Sequence, residues 1–228
     1  MNNCVASSAV LCACALTSLS NAAVLNGGFE AGSLSGWTLA GQGAAVTAST
    51  GVTPTAGTYQ GFIDTTGNYT WLAPAVVASL GVPGSAIFGL GQGAPTNGSG
   101  ISQMVTVSAG DVLSFDWNFA TSELSQDPMY NDFAFFTVNG SAYFLASRNA
   151  SSFNIVAPPI GFEGQTNWAS ASYTFAAAGT YQIGFGVFNV GDSGHDSALF
   201  LDNVDIVPEP AILSMLGFAC APLARRRL

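Results

Sequence analysis

The run Leu113-Ser114-Phe115-Asp116-Trp117-Asn118-Phe119 sets four large apolar side chains at every second position and three polar ones between them. Successive side chains of a strand point to opposite faces, so this run predicts a β-strand with one face on a core. Tyr181, Ile183, Phe185 and Val187 repeat the pattern against Gln182, Gly184 and Gly186, and Ala171, Tyr173 and Phe175 do so again. Turn-forming sequences separate the runs: Ala109-Gly110-Asp111, Asn139-Gly140-Ser141 and Ala178-Gly179-Thr180. Asn139-Gly140, between the runs 132–138 and 141–146, is the dipeptide that a tight hairpin favours. No amphipathic helix of useful length stands out. Short strands without alternating helices predict an all-β fold, an antiparallel β-sandwich. Residues 73–100 and 149–166 are rich in Gly, Pro, Ala and Ser and read as long surface loops. The strand pattern resumes after each, so residues 23–206 read as one domain.

Composition narrows the function. Only 7% of the residues are charged, against about 25% in ordinary soluble domains. Lysine is absent, and the four basic residues are Arg148, Arg225, Arg226 and Arg227. Between residues 23 and 208 twelve acids face one arginine, a formal charge of 1 − 12 = −11. Phosphate binding needs clustered Lys and Arg, so this body excludes a nucleic-acid function. All four cysteines, Cys4, Cys12, Cys14 and Cys220, lie in the terminal apolar runs. The body therefore has neither a disulfide framework nor a thiolate metal site, and its core must hold it. About 185 residues suffice for that.

The two ends read as address segments. Residues 5–16 are apolar and are followed by small and polar residues ending Ser20-Asn21-Ala22-Ala23. This is the shape of a secretory signal peptide over residues 1–22, removed by signal peptidase after Ala22 or Ala23. The Lys or Arg usual at such a start is missing. A lipidation site at Cys12 or Cys14 and a buried N-terminal helix are the alternatives. At the other end, residues 211–224 are uncharged and precede the arginine run. As a helix they would span about 21 Å, short of the roughly 30 Å hydrocarbon core, with the arginines expected on the cytoplasmic side.

Val207-Pro208-Glu209-Pro210, the apolar stretch and Arg225, Arg226 and Arg227 together resemble the PEP-CTERM sorting signal of Gram-negative bacteria. The resemblance covers residues 207–228. It implies a short transmembrane helix that anchors the precursor transiently in the inner membrane. It also implies an exosortase that recognises the Pro-Glu-Pro element and removes the tail. The expected destination is the cell surface or an extracellular matrix of exopolysaccharide. It implies no particular activity.

Asn26-Gly27-Gly28-Phe29-Glu30 with Gly36-Trp37, and the late run Leu199 to Ile206, resemble the first and last strands of galactose-binding-like jelly rolls. Such folds occur among carbohydrate-binding modules, and some members hold a structural calcium where these strands meet. That resemblance makes Glu30 and Asp202 the candidate metal ligands. Asp202 shares strand parity with Phe200, Val204 and Ile206, which predicts its side chain on the core side. A buried carboxylate there needs a cation or several hydrogen-bond donors, and backbone N–H donors in a turn are the alternative to calcium. The acidic segment Glu123–Asp132 lacks the spacing of an EF-hand and reads as a solvated loop.

Gly191-Asp192-Ser193-Gly194 superficially resembles a protease nucleophile loop. The sole histidine, His195, stands two residues from Ser193, too near in sequence for triad geometry. Among Trp37, Trp71, Trp117 and Trp168, Trp71 beside a long loop is the first candidate for stacking on a sugar, and Trp117 belongs to the core. The sequence therefore predicts a non-enzymatic exported matrix or surface protein. The alternative is a calcium-stabilised carbohydrate-binding module whose partner is a polysaccharide.

Overall fold

The computed structural model describes residues 23–66, 71–150, 152–154 and 159–208. The described chain forms β1 (Thr38–Ala40), β2 (Gln42–Val46), β3 (Gln60–Asp64), β4 (Trp71–Leu72), α1 (Ala73–Ser79), α2 (Gly84–Phe88) and β5 (Pro95–Val107). It continues through β6 (Val112–Thr121), β7 (Phe133–Val138), β8 (Ser141–Ser147), β9 (Gly164–Gln165), β10 (Ala169–Thr174), β11 (Gly179–Val190) and β12 (Ser197–Val207). Every strand pairing is antiparallel.

Two six-stranded sheets result. The first has the order β1-β5-β11-β7-β8, with β4 also on β5, and the second β10-β6-β12-β3-β2, with β9 also on β6. Their inner faces meet over Ile101, Val105, Ile183, Phe185, Val187 and Phe136 from one sheet and Leu113, Phe115, Phe119, Ile63, Leu199 and Leu201 from the other. The alternating runs thus become strands whose apolar faces enclose one core, the antiparallel sandwich that the sequence predicts. The hairpin forms at Asn139-Gly140, with φ of 44° and 89°. Two consecutive positive φ values match the right-handed strand twist.

Residues 73–100 depart from the expected loop. They contain α1, α2 and the first part of β5. Pro74 stands at the start of α1, where its missing N–H is harmless, and Gly81 at φ 66° stops the chain just after it. Seven residues are too few to display a helical period. The segment is held instead by Val76 of α1, Leu80 just after it and Ile87 of α2, packed on Phe133, Phe135 and Phe188 of the first sheet's outer face. That sheet is therefore apolar on both faces, which is why β7 has no polar alternation.

The parity expected for Asp202 fails for a definable reason. Asp202 stands opposite Asp116, but Asp205 stands opposite Ser114. The strand takes three steps there while β6 takes two, a β-bulge with Asn203 at φ 50°. Val204 and Ile206 consequently join the inner core with Leu199 and Leu201, while Phe200 packs on the outer face against Phe62. Asp202 belongs with Phe200 and not with Val204. The bulge also docks the start of the body: Val204 N donates to Gly27 O at 3.1 Å. A Cβ at Gly27 would lie 1.8 Å from Val204 O, so only glycine fits there.

Candidate functional site

Both candidate metal ligands end on one loop, residues 55–59. Asp202 is fully buried. Its Oδ2 accepts Thr55 Oγ1 and Ala56 N, both at 3.0 Å, and its Oδ1 accepts Asn203 N at 2.8 Å. Glu30 accepts Thr58 N at 2.9 and 3.1 Å through its two oxygens and Tyr59 N at 2.9 Å. Gly28 borders both: a Cβ there would lie 3.8 Å from Glu30 Cγ and 4.0 Å from Asp202 Oδ1. Calcium takes six to eight oxygen ligands. The oxygens offered here already accept N–H and O–H donors, and among the described residues no group of three or more His, Cys, Asp or Glu side chains could hold a metal. As they stand, the two carboxylates fit the fastening of a loop.

Asp116 lies across from Asp202, a like-charge placement that would be unfavourable if bare. Burial is the largest single influence on Asp116 and acts to raise its pKa. Ser170 and Asn203, donating at 2.6 and 2.8 Å, with Thr55 Oγ1 at 2.9 Å sharing its one proton between Asp116 and Asp202, together outweigh it and hold the carboxyl below its ordinary value.

On the same outer face, Trp168 stands just before β10. Its Nε1 donates to Thr53 O at 2.8 Å, and its ring packs beside the cluster of Val52, Phe162 and Phe200. The indole is half-buried and fixed in direction. With Asn118, Gln165, Asn167 and the backbone of residues 51–53 it lines a shallow depression of 180 Å³. Asn118 Nδ2 donates to Gln165 Oε1 at 2.7 Å, and Asn118 Oδ1 accepts Thr166 Oγ1 at 3.3 Å. Asn167 adopts φ 61° and is exposed. A pinned aromatic face beside the exposed amide of Asn167 can hold a polyhydroxylated ring: the indole meets C–H groups, and the amide both donates to and accepts from hydroxyls. The buried Asn118 and Gln165, bonded to each other, form the floor.

Trp117 is a core residue, as expected. The described part of Trp71 is its backbone, paired with Gly98 at the edge of the first sheet; its side chain lies outside the described residues. Val207 ends β12 opposite Val112, and Pro208 follows it outside any strand. Glu209, Pro210, Arg225, Arg226, Arg227 and residues 1–22 lie outside the described residues. Among the described residues no helix is long and apolar enough to cross a membrane.

The acidic segment 123–132 is not simply solvated. Glu123 and Asp132, at its ends, are buried. Asp132 bridges the sheets, accepting Val190 N at 2.8 Å and Ser197 Oγ at 2.7 Å. Burial pushes its carboxyl up to about 7, with the nearby charges of Glu123 and Asp192 adding and the two hydrogen bonds opposing.

No family model matches this sequence, and no curated protein matches it either. Solved structures do. A family 61 carbohydrate-binding module in complex with β-1,4-galactotriose is similar over 81% of this chain and 96% of its own, at 14% identity and a TM-score of 0.44. The CBM22-1 xylan-binding domain of Paenibacillus barcinonensis Xyn10C covers 85% and 98%, at 13% identity and a TM-score of 0.38. The enzymatically active domain of the bacteriophage CBA120 tailspike protein 4 covers 81% of this chain but 21% of its own, at 14% identity and a TM-score of 0.36. All three likenesses are distant in sequence, and the two-sheet sandwich stands on the strand pairing itself.

Proposed function

We propose that the chain is an exported, non-enzymatic carbohydrate-binding module that takes a pyranose ring of a polysaccharide in the Trp168 depression. The observation that supports this reading is the pinned, half-exposed indole bordered by Asn118, Gln165 and Asn167. A body with so few charges suits a neutral glycan, whose affinity comes from stacking and hydroxyl hydrogen bonds rather than ion pairs. The reading joins the sequence-based expectation of polysaccharide as partner to a specific place, and it moves the stacking role from Trp71 to Trp168.

The test is retention on a panel of neutral polysaccharides, including galactan and xylan, in affinity electrophoresis and calorimetry. At least one should bind saturably, and Trp168→Ala should weaken it ten-fold or more, about 1.4 kcal/mol. Because Trp168 also packs on Val52 and Phe162, Asn167→Gly serves as a second variant: glycine accepts the φ of 61° there, so binding should weaken with an unchanged melting temperature. Wild-type protein that binds nothing on the panel, or two variants that bind as wild type, would overturn the site.

Export with tail removal by an exosortase, and calcium at Glu30 and Asp202, where it would displace the N–H and O–H donors of residues 55–59, belong to the same proposal and share one experiment. Native secreted protein should have an intact mass placing its C-terminus near Pro208 to Pro210, and should melt lower in chelator than in calcium. An uncut tail would remove the sorting role. A melting temperature indifferent to chelator would leave the two carboxylates to their hydrogen bonds.

A further inference from the structure

Between residues 23 and 208 the chain carries one cation, Arg148, among twelve carboxylates. It follows β8, and its side chain is 7% exposed. Nε donates to Glu123 O at 2.6 Å and Nη2 to Leu124 O at 2.7 Å, while the guanidinium carbon lies 4.8 Å from the centre of the Phe153 ring. Among the described residues both side-chain hydrogen bonds of Arg148 go to backbone carbonyls and neither goes to a carboxylate. Neutral carbonyls and a π face hold the fork in place, and among the described residues its hydrogen bonds use Nε and Nη2 and not Nη1, so that the Nη1–Nη2 edge keeps three of its four N–H groups. Arg148 lines an open depression of 490 Å³ with Gln126, Asn149, Ala150 and Phe153.

A buried guanidinium whose described partners are neutral gains from an arriving anion. The geometry selects the kind of anion. A fixed planar fork matches a carboxylate. The surrounding charge of −11 opposes a polyanion or a doubly charged phosphate, while screening over about 8 Å at physiological salt lets a single local charge act. Gln126 and Asn149 add amides suited to hydroxyl groups.

We propose that this depression is a second binding site, distinct from the Trp168 depression, for a singly charged carboxylate on a sugar ring, that is, a uronic acid residue of a glycan. The proposal does not depend on the neutral-glycan reading, because it rests on Arg148 and its surroundings alone.

The test compares D-glucuronate with D-glucose and with acetate by NMR titration of the secreted protein. Glucuronate should bind at least ten-fold more tightly than either, and the advantage should shrink as sodium chloride is added. Asn149→Ala, at an exposed position, should weaken glucuronate several-fold without lowering the melting temperature. Arg148→Lys keeps the charge but loses the fork and should abolish the preference. It also loosens the backbone at Glu123 and Leu124, so Asn149→Ala remains decisive if Arg148→Lys fails to fold. Trp168→Ala should leave glucuronate binding unchanged. Equal affinity for glucuronate and glucose would overturn the site, leaving Arg148 as a fastener of the β6–β7 connection. Acetate binding as tightly as glucuronate would overturn the sugar assignment. Loss of glucuronate in Trp168→Ala, with Asn149→Ala unaffected, would place the carboxylate elsewhere.

Discussion

Phe115→Ala is expected to lower the stability of the body by about 3–5 kcal/mol, the range for deleting a fully enclosed aromatic ring. Phe115 is 1% exposed on β6, and it meets two rings of the opposite sheet edge-on. Its ring centre lies 5.2 Å from that of Phe136 on β7 and 4.8 Å from that of Phe185 on β11. One side chain therefore ties both sheets together, and no disulfide in the body shares that work. The collapse of these three rings into the gap is limited by strands fixed on both sides, so most of the cavity persists. Chemical denaturation should show a lower midpoint at an unchanged slope. A loss below about 1 kcal/mol would mean that the sheets do not pack through this ring.

A second large effect comes from pH. Asp132 has a folded-state pKa of about 7, while an unfolded aspartate titrates near 3.9. Between these values the folded protein holds a proton that the unfolded chain has released. Stability from this group is therefore fully present below about pH 4 and falls as pH rises through 7. The gap corresponds to about 4 kcal/mol at 1.36 kcal/mol per pH unit. Asp64 and Asp196, both raised chiefly by burial, act in the same direction, and Asp116, held low, acts against them. Asp132→Asn keeps an oxygen for Val190 N and turns an amide toward Ser197 Oγ. It should flatten the decline between pH 4 and 7 and leave the variant more stable than wild type at pH 8. Denaturation midpoints at pH 5 and pH 8 for both proteins decide this. Parallel wild-type and variant curves would show that Asp132 does not carry the dependence.

Much of the architecture is legible in the alternation of residues 113–119, 171–175 and 181–187, because period two has one structural meaning and Asn139-Gly140 has a specific turn. What is illegible has local causes. A bulge adds one residue to a strand without any mark in the hydrophobic pattern, so Asn203 reverses the side on which Val204 and Ile206 lie. The helices α1 and α2 are short, apolar and Gly-bounded, and they look like a loop until the apolar outer face of the first sheet is placed beneath them. Glu123 and Asp132 look solvated because composition cannot show that their segment turns inward to Ser197. The Trp168 depression draws on Asn118 and Gln165, residues 47 apart that meet only through the β6·β9 pairing. Arg148 carries a signal as the sole Lys or Arg of the body, but that carbonyls and a ring hold its fork appears only in three dimensions.

The last strand, β12, runs through the interior of its sheet, between β6 and β3, and the chain leaves from its end at Val207 and Pro208. Ladder hydrogen bonds lie across the strand direction. Tension applied to the chain beyond Pro208 therefore draws β12 along its own axis and loads the ladders on both flanks together, in shear. A strand hung at the sheet's rim would peel, one bond at a time. Along its own axis β12 is thus held by many bonds that share a load, whereas β2 and β10 at the rims of the same sheet are each held on one flank alone.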